Sequence, residues 1–85
     1  MSYKVFIKKS AQKSLAKIEK IYREKIIEAI YNLGENPRPS NCKKLKGRDG
    51  WRIRIGDYRV IYEIDEKEKR INILFVGHRR LIYKI

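Results

Sequence analysis

The stretch WRIRIGDYRVIY, from Trp51 to Tyr62, alternates bulky apolar and basic residues, breaks at Gly56-Asp57, and alternates again. Alternation with a period of two marks a strand with one buried and one wet face. A Gly-Asp pair between two such runs predicts a hairpin closed by a primed two-residue turn. The register follows from that turn: Ile55 faces Tyr58, Arg54 faces Arg59, Ile53 faces Val60 and Trp51 faces Tyr62. Trp51, Ile53, Ile55, Tyr58, Val60, Tyr62 and Ile64 then share a face that needs cover. Arg52, Arg54 and Arg59 share the other face with Ile61 and Glu63. Two guanidiniums directly opposite each other disfavour the pairing. Either both splay into water at a small cost, or an anion between them offsets the repulsion, since guanidinium forks match phosphate geometry.

The rest of the chain supplies the cover. YKVFIKK, from Tyr3 to Lys9, reads as a strand with Tyr3, Val5 and Ile7 on one side and Lys4, Phe6 and Lys8 on the other. Ser10 is the expected helix N-cap. Apolar residues at Ala11, Leu15, Ile18 and Tyr22, and again at Tyr22, Ile26, Ile30 and Leu33, keep helical spacing up to a stop at Gly34. One helix over residues 10–33 would run about 36 Å, against about 30 Å for a compact domain of this length. Two helices with a tight turn near Glu19 to Tyr22 are therefore expected, with Glu24 and Glu28 facing water. GENPRPSN is a connecting loop, and Cys42 to Lys46 is a short charged strand near an edge.

The last strand, Arg70 to His78, follows the turn DEKEK. With Ile64 facing Ile71, an uninterrupted ladder places Ile71, Ile73 and Phe75 in the core. It places Asn72, Leu74, Val76 and His78 on the arginine face, Val76 opposite Arg59 and His78 one step beyond. The tail RRLIYKI is a helical turn or an extended arm. The expected fold is α+β, one domain over residues 1–85: a small antiparallel β-sheet with two N-terminal helices packed on one face, in the order β-α-α-β-β-β, and a short C-terminal tail.

Charge narrows the function. The 85 residues carry 22 Lys+Arg against 10 Asp+Glu, a net charge of +12, and basic residues occupy strand positions as well as helix faces. That balance points to a polyanionic partner. At 42% hydrophobic residues the chain is not a disordered polycation. A lone cysteine, Cys42, permits no internal disulfide. No apolar run is long enough for a secretory signal or a membrane span, so a cytoplasmic protein without a membrane partner is expected. One Cys, one His and no carboxylate cluster give no metal-ligating set, there is no phosphate-binding glycine loop, and no cofactor is expected.

Cations, one imidazole and a phenol suit cleavage of an RNA phosphodiester by its own 2′-hydroxyl. Arginines can stabilise the charge that builds on phosphorus, but stay protonated and are poor bases. The imidazole of His78 can act as base or acid. Tyr83 can orient the leaving group, donate a proton or stack on a base.

KKLKGRDGWRIRIGDYRVIYEID, followed by FVGHRRLIYKI, resembles the RelE toxins of the RelE/ParE toxin–antitoxin superfamily, and the first strand and helical region match in order and length. The resemblance implies a ribosome-dependent mRNA endoribonuclease that cuts A-site codons without a metal and leaves a 2′,3′-cyclic phosphate. It implies roles on the RNA for Arg52, Arg54, Arg59, Arg79 and Tyr83, and His78 sits in a GHR motif that many relatives share. The candidate catalytic set is therefore Arg54, Arg59, His78, Arg79 and Tyr83, with Lys44, Lys46, Arg52 and Arg80 as candidate RNA-binding cations. The implied partners are the ribosome with its mRNA and an acidic, RelB-like antitoxin that blocks the basic face. A ParE-like inhibitor of DNA gyrase on the same fold is the alternative, as is a relative that binds RNA or a partner without cutting.

Overall fold

The structure is a computed structural model that describes residues 2–78, so the expectations for Arg79, Arg80 and Tyr83 fall outside the described residues. The elements are β1 (Lys4–Ile7), α1 (Lys9–Ala16), α2 (Lys20–Asn32), β2 (Cys42–Lys44), β3 (Trp51–Ile55), β4 (Tyr58–Asp65) and β5 (Arg70–His78). They form one five-stranded sheet in the order β1-β5-β4-β3-β2. Strands β2 to β5 make an antiparallel meander, as expected. β1 joins β5 in parallel, so the sheet is mixed. Both helices contribute to one apolar core on a single face of the sheet, with Ala11, Leu15, Ile26, Ile30 and Leu33 against Ile53, Val60, Tyr62, Ile71, Ile73 and Val76. Each fully buried aliphatic side chain there contributes roughly 1.5–3 kcal/mol. Among the described residues no helix is long and apolar enough to cross a membrane.

The hairpin has the register its alternation predicts, from Trp51 opposite Tyr62 to Ile55 opposite Tyr58. Gly56 has φ 58° while Asp57 stays at negative φ. One positive φ, at the first turn position, is the pattern of a type II′ turn, whose twist matches that of paired strands. The helical stretch divides in two, at Lys17–Glu19, slightly before the expected Glu19–Tyr22. Ser10 is not the N-cap. Lys8 is, without a side-chain cap, because its N–H still donates to the Ile73 carbonyl at 2.9 Å and the chain turns straight from the sheet into α1.

One residue changes the reading of β5. Ile64 pairs with Ile71 and Tyr62 with Ile73, but Ile61 pairs with Phe75, so Leu74 is an extra residue in β5. Such a β-bulge reverses which side of the sheet every later residue faces. Val76 enters the core opposite Val60, and His78 stands opposite Tyr58 on the helix face. Phe75, expected in the core, lies on the other face beside Gly77, where a Cβ would meet its ring at 2.8 Å.

The loop between α2 and β2 is tied down at several points. The Tyr62 hydroxyl, deep under the helices, donates to the Pro37 carbonyl at 2.7 Å, and burial pushes its pKa up. Arg38 bonds the Glu66 carboxylate at 3.0 Å, and its guanidinium lies 5.1 Å from the Trp51 ring centre. The Tyr3 hydroxyl donates to the same carboxylate. These donors hold the Glu66 carboxyl below the usual range and raise the Tyr3 phenol.

Two outcomes check this description. Gly77→Ala should cost about 1–2 kcal/mol in denaturant unfolding, because the Phe75 ring must shift, and that cost should largely vanish in a Phe75→Leu background. Additive effects of the two changes would return Phe75 to the helix face. For Glu66, a folded-state pKa below the unfolded one gives stability that is present above the unfolded carboxylate pKa and is lost as pH falls through the folded value. Glu66→Gln should therefore lower Tm at neutral pH and leave Tm unchanged in strong acid. A Tm difference independent of pH would remove the ion pair from the account.

Candidate nucleic-acid interface

The face of the sheet away from the helices is built by strand parity. Cys42 and Ile53 pair with their side chains toward the core. Their neighbours Lys43 and Arg52 pair on the outer face, and Arg54 pairs with Arg59 one pleat further on. Beyond Arg59 in the same row stands Gly77. At the far side Lys4 pairs with Arg70, whose guanidinium lies 4.5 Å from the Phe6 ring centre. Six cations thus share this face with the carboxylates of Asp65, opposite Arg70, and of Glu63, which accepts from the Asn72 amide at 3.1 Å.

The arginines differ in setting. Arg59 is only 5% exposed, Arg52 is half-buried and Arg54 is exposed. Taking a guanidinium out of water costs several kcal/mol before its contacts are counted. Arg59 is nevertheless buried in the sheet, and the exposed Arg54 stands directly opposite it. Among the described residues Lys43, Arg52 and Arg54 form no ion pair. With Asn41 they line a cleft of about 230 Å³ at the β2 edge, where the Asn41 amide donates to the Arg54 carbonyl at 3.3 Å. Guanidiniums placed this way can bind and polarise a phosphodiester, but they cannot accept its proton.

The structure brings together Arg52, Arg54 and Arg59 as expected, and separates them from three other expected residues. His78 does not reach the arginine face. The bulge turns it to the helix side, where its ring stands edge-on to Tyr58 at 5.7 Å and Tyr58 in turn meets Tyr22 at 5.8 Å. Lys44 pairs with Trp51 and places its ammonium 5.2 Å from that ring, on the opposite side of the sheet from Arg52. Lys46 lies exposed in the turn between β2 and β3. Sequence reasoning passed over Lys4 and Arg70 at the far side and, beside the arginines, Lys43. Its signal was Cys42, the apolar member of β2, which had to point inward and so sends Lys43 out.

Comparison with known proteins agrees with this architecture. Residues 5–83 match the family described as ParE toxin of type II toxin-antitoxin system, parDE. A protein of Methanocaldococcus jannaschii that carries the name toxin RelE1 is 34% identical over 88 residues, spanning 99% of this chain and 98% of its own. Among solved structures, the archaeal RelE–RelB complex from Pyrococcus horikoshii matches with a TM-score of 0.83 and 36% identity, over 93% of this chain and 97% of that one. The RelBE2 toxin–antitoxin complex of Mycobacterium tuberculosis matches with a TM-score of 0.81 and 28% identity, over 93% and 100%. The helix-backed sheet, its arginine-bearing outer face and these relatives together place the chain in the RelE/ParE superfamily of type II toxin–antitoxin toxins.

Proposed function

We propose that the chain is a ribosome-dependent mRNA endoribonuclease that cuts A-site codons through attack of the substrate's 2′-hydroxyl. The observation that carries the reading is the row Arg54–Arg59, an exposed guanidinium opposite a buried one, with Arg52 on the same face. In the reaction the 2′-oxygen forms a bond to phosphorus and the bond from phosphorus to the 5′-oxygen breaks. A proton leaves the 2′-hydroxyl and one reaches the 5′-oxygen, leaving a 2′,3′-cyclic phosphate and a 5′-hydroxyl. Arg59 and Arg54 stabilise the charge that grows on the non-bridging oxygens. Burial in the sheet leaves the Arg59 guanidinium little room to reorganise as that charge appears. Arg52 aligns the strand. The toxins in the P. horikoshii and M. tuberculosis structures are in complex with antitoxins. By analogy an acidic, RelB-like antitoxin holds this chain inactive by neutralising the same face, and ordering on binding suits such a partner.

A second reading has its own support, since the matching family is described as a ParE toxin. A ParE-like gyrase inhibitor would use the arginine face for docking and would need no cleavage chemistry.

The test is cleavage of mRNA programmed into ribosomes, with free mRNA alongside. Arg59→Ala, expected to fold, should lower cleavage at least about a hundredfold, the scale of a lost transition-state donor. Growth arrest that survives Arg59→Ala with no cuts in mRNA would select the gyrase reading. General acid–base catalysis is worth about 10²–10⁴ in rate. With the imidazole on the far side of the sheet, a folded His78→Gln protein should lose less than about tenfold in single-turnover rate. A hundredfold loss at unchanged stability would put the imidazole into the proton transfers.

A further inference from the structure

Besides the Lys4–Arg70 pair at its far side, the outer face carries two like-charge pairs that adjoin each other. Arg54 stands opposite Arg59 across β3 and β4, and Lys43 stands opposite Arg52 across β2 and β3. Each pair opposes strand association by itself, and a single anion site would need only one of them. Strands lie about 4.8 Å apart and same-face residues about 6.8 Å apart along a strand, which puts the centres of the two pairs roughly 8 Å from each other. That separation is comparable with the phosphate repeat of an extended single strand. The second pair also lines the cleft at the β2 edge, together with Asn41 and Arg54, and among the described residues neither Lys43 nor Arg52 has a carboxylate partner.

We propose that Lys43 and Arg52 form a second phosphate site, which holds the phosphodiester next to the one cleaved, and that Lys43 is a positioning residue of the toxin. The inference rests on the nuclease reading. A strand that crosses the sheet diagonally, from the Arg54–Arg59 row to the β2 edge, meets two cationic clamps in step with its own repeat. One clamp alone leaves the strand free to pivot about the scissile phosphate. The second fixes its direction, so the 2′-hydroxyl is presented in line with the bond that breaks. Asn41, bonded to the Arg54 carbonyl, closes the edge of the cleft beyond the β2–β3 ladder.

The experiment removes the clamp from each side in turn. Toxin acts on mRNA programmed into ribosomes, and the probe is a set of mRNAs with one neutral methylphosphonate linkage moved along the strand around the cut. With Lys43→Gln the half-saturating toxin concentration should rise several-fold on unmodified mRNA while the saturated rate changes far less, and Lys43→Arg should restore it. Its dependence on log salt should flatten by about 0.7, the contribution of one phosphate contact to a single strand. At one linkage beside the scissile bond, the methylphosphonate should weaken wild type and leave Lys43→Gln no weaker than before, since both changes remove the same contact. Additive losses at every position overturn the second site while leaving the nuclease reading intact. Weakened antitoxin capture by Lys43→Gln, with unchanged mRNA dependence, overturns it too and assigns the cleft to the antitoxin. Absence of any Arg59-dependent cleavage overturns both.

Discussion

The rest of the molecule hangs on the pairing of β4 with β5. These strands meet along eight residue pairs, from Tyr58–His78 to Asp65–Arg70, and both lie inside the sheet. The hairpin partner β3 attaches to one side of this ladder and β1 to the other. Val60, Tyr62, Ile71, Ile73 and Val76, all drawn from these two strands, make up most of the sheet side of the core, with Ile53 of β3 beside them. Leu74 is the point where the ladder adjusts: with it, both ends of β5 bury an apolar side chain, Ile71 at one end and Val76 at the other, although they are an odd number of residues apart.

The two faces of that sheet are in energetic opposition. One face buries aliphatic surface under two helices. The other gathers cations in neighbouring rows and leaves Arg59 almost out of contact with water. Packing on the first face offsets repulsion on the second. The Arg38–Glu66–Tyr3 cluster and the Tyr62–Pro37 bond tie the α2–β2 loop to the body from the other end. The β2 strand that follows is therefore delivered to the sheet edge in a defined register, and with it Lys43.

Much of this was legible in the sequence because the signals were redundant. The hairpin announced itself through alternation on both sides of a turn that only a residue tolerant of positive φ could begin. The split of the helical stretch followed from length alone. The bulge was hidden by the composition of β5: Leu74, Phe75 and Val76 are all apolar, so no polar residue marks the place where the phase changes. Reading the strand as uninterrupted carried His78 to the wrong face and Phe75 into the core. The Lys43-Lys44 doublet concealed its own parity in the same way, since each is equally acceptable as the outward cation. Ser10 misled because a good capping residue was outbid by a ladder bond from Lys8, a tertiary contact that propensity does not record.

The sheet also divides the molecule electrically. Behind the arginine face lies a layer of hydrocarbon of low polarisability, and in front of it lies water. Field lines from the cations are therefore turned outward, and the potential of a few aligned rows extends into solution by about a Debye length, near 8 Å at physiological ionic strength. A polyanion approaching this side would meet an attractive potential before any contact forms. The helix layer that stabilises the fold thus also sets how fast, and from which side, the protein meets its partners.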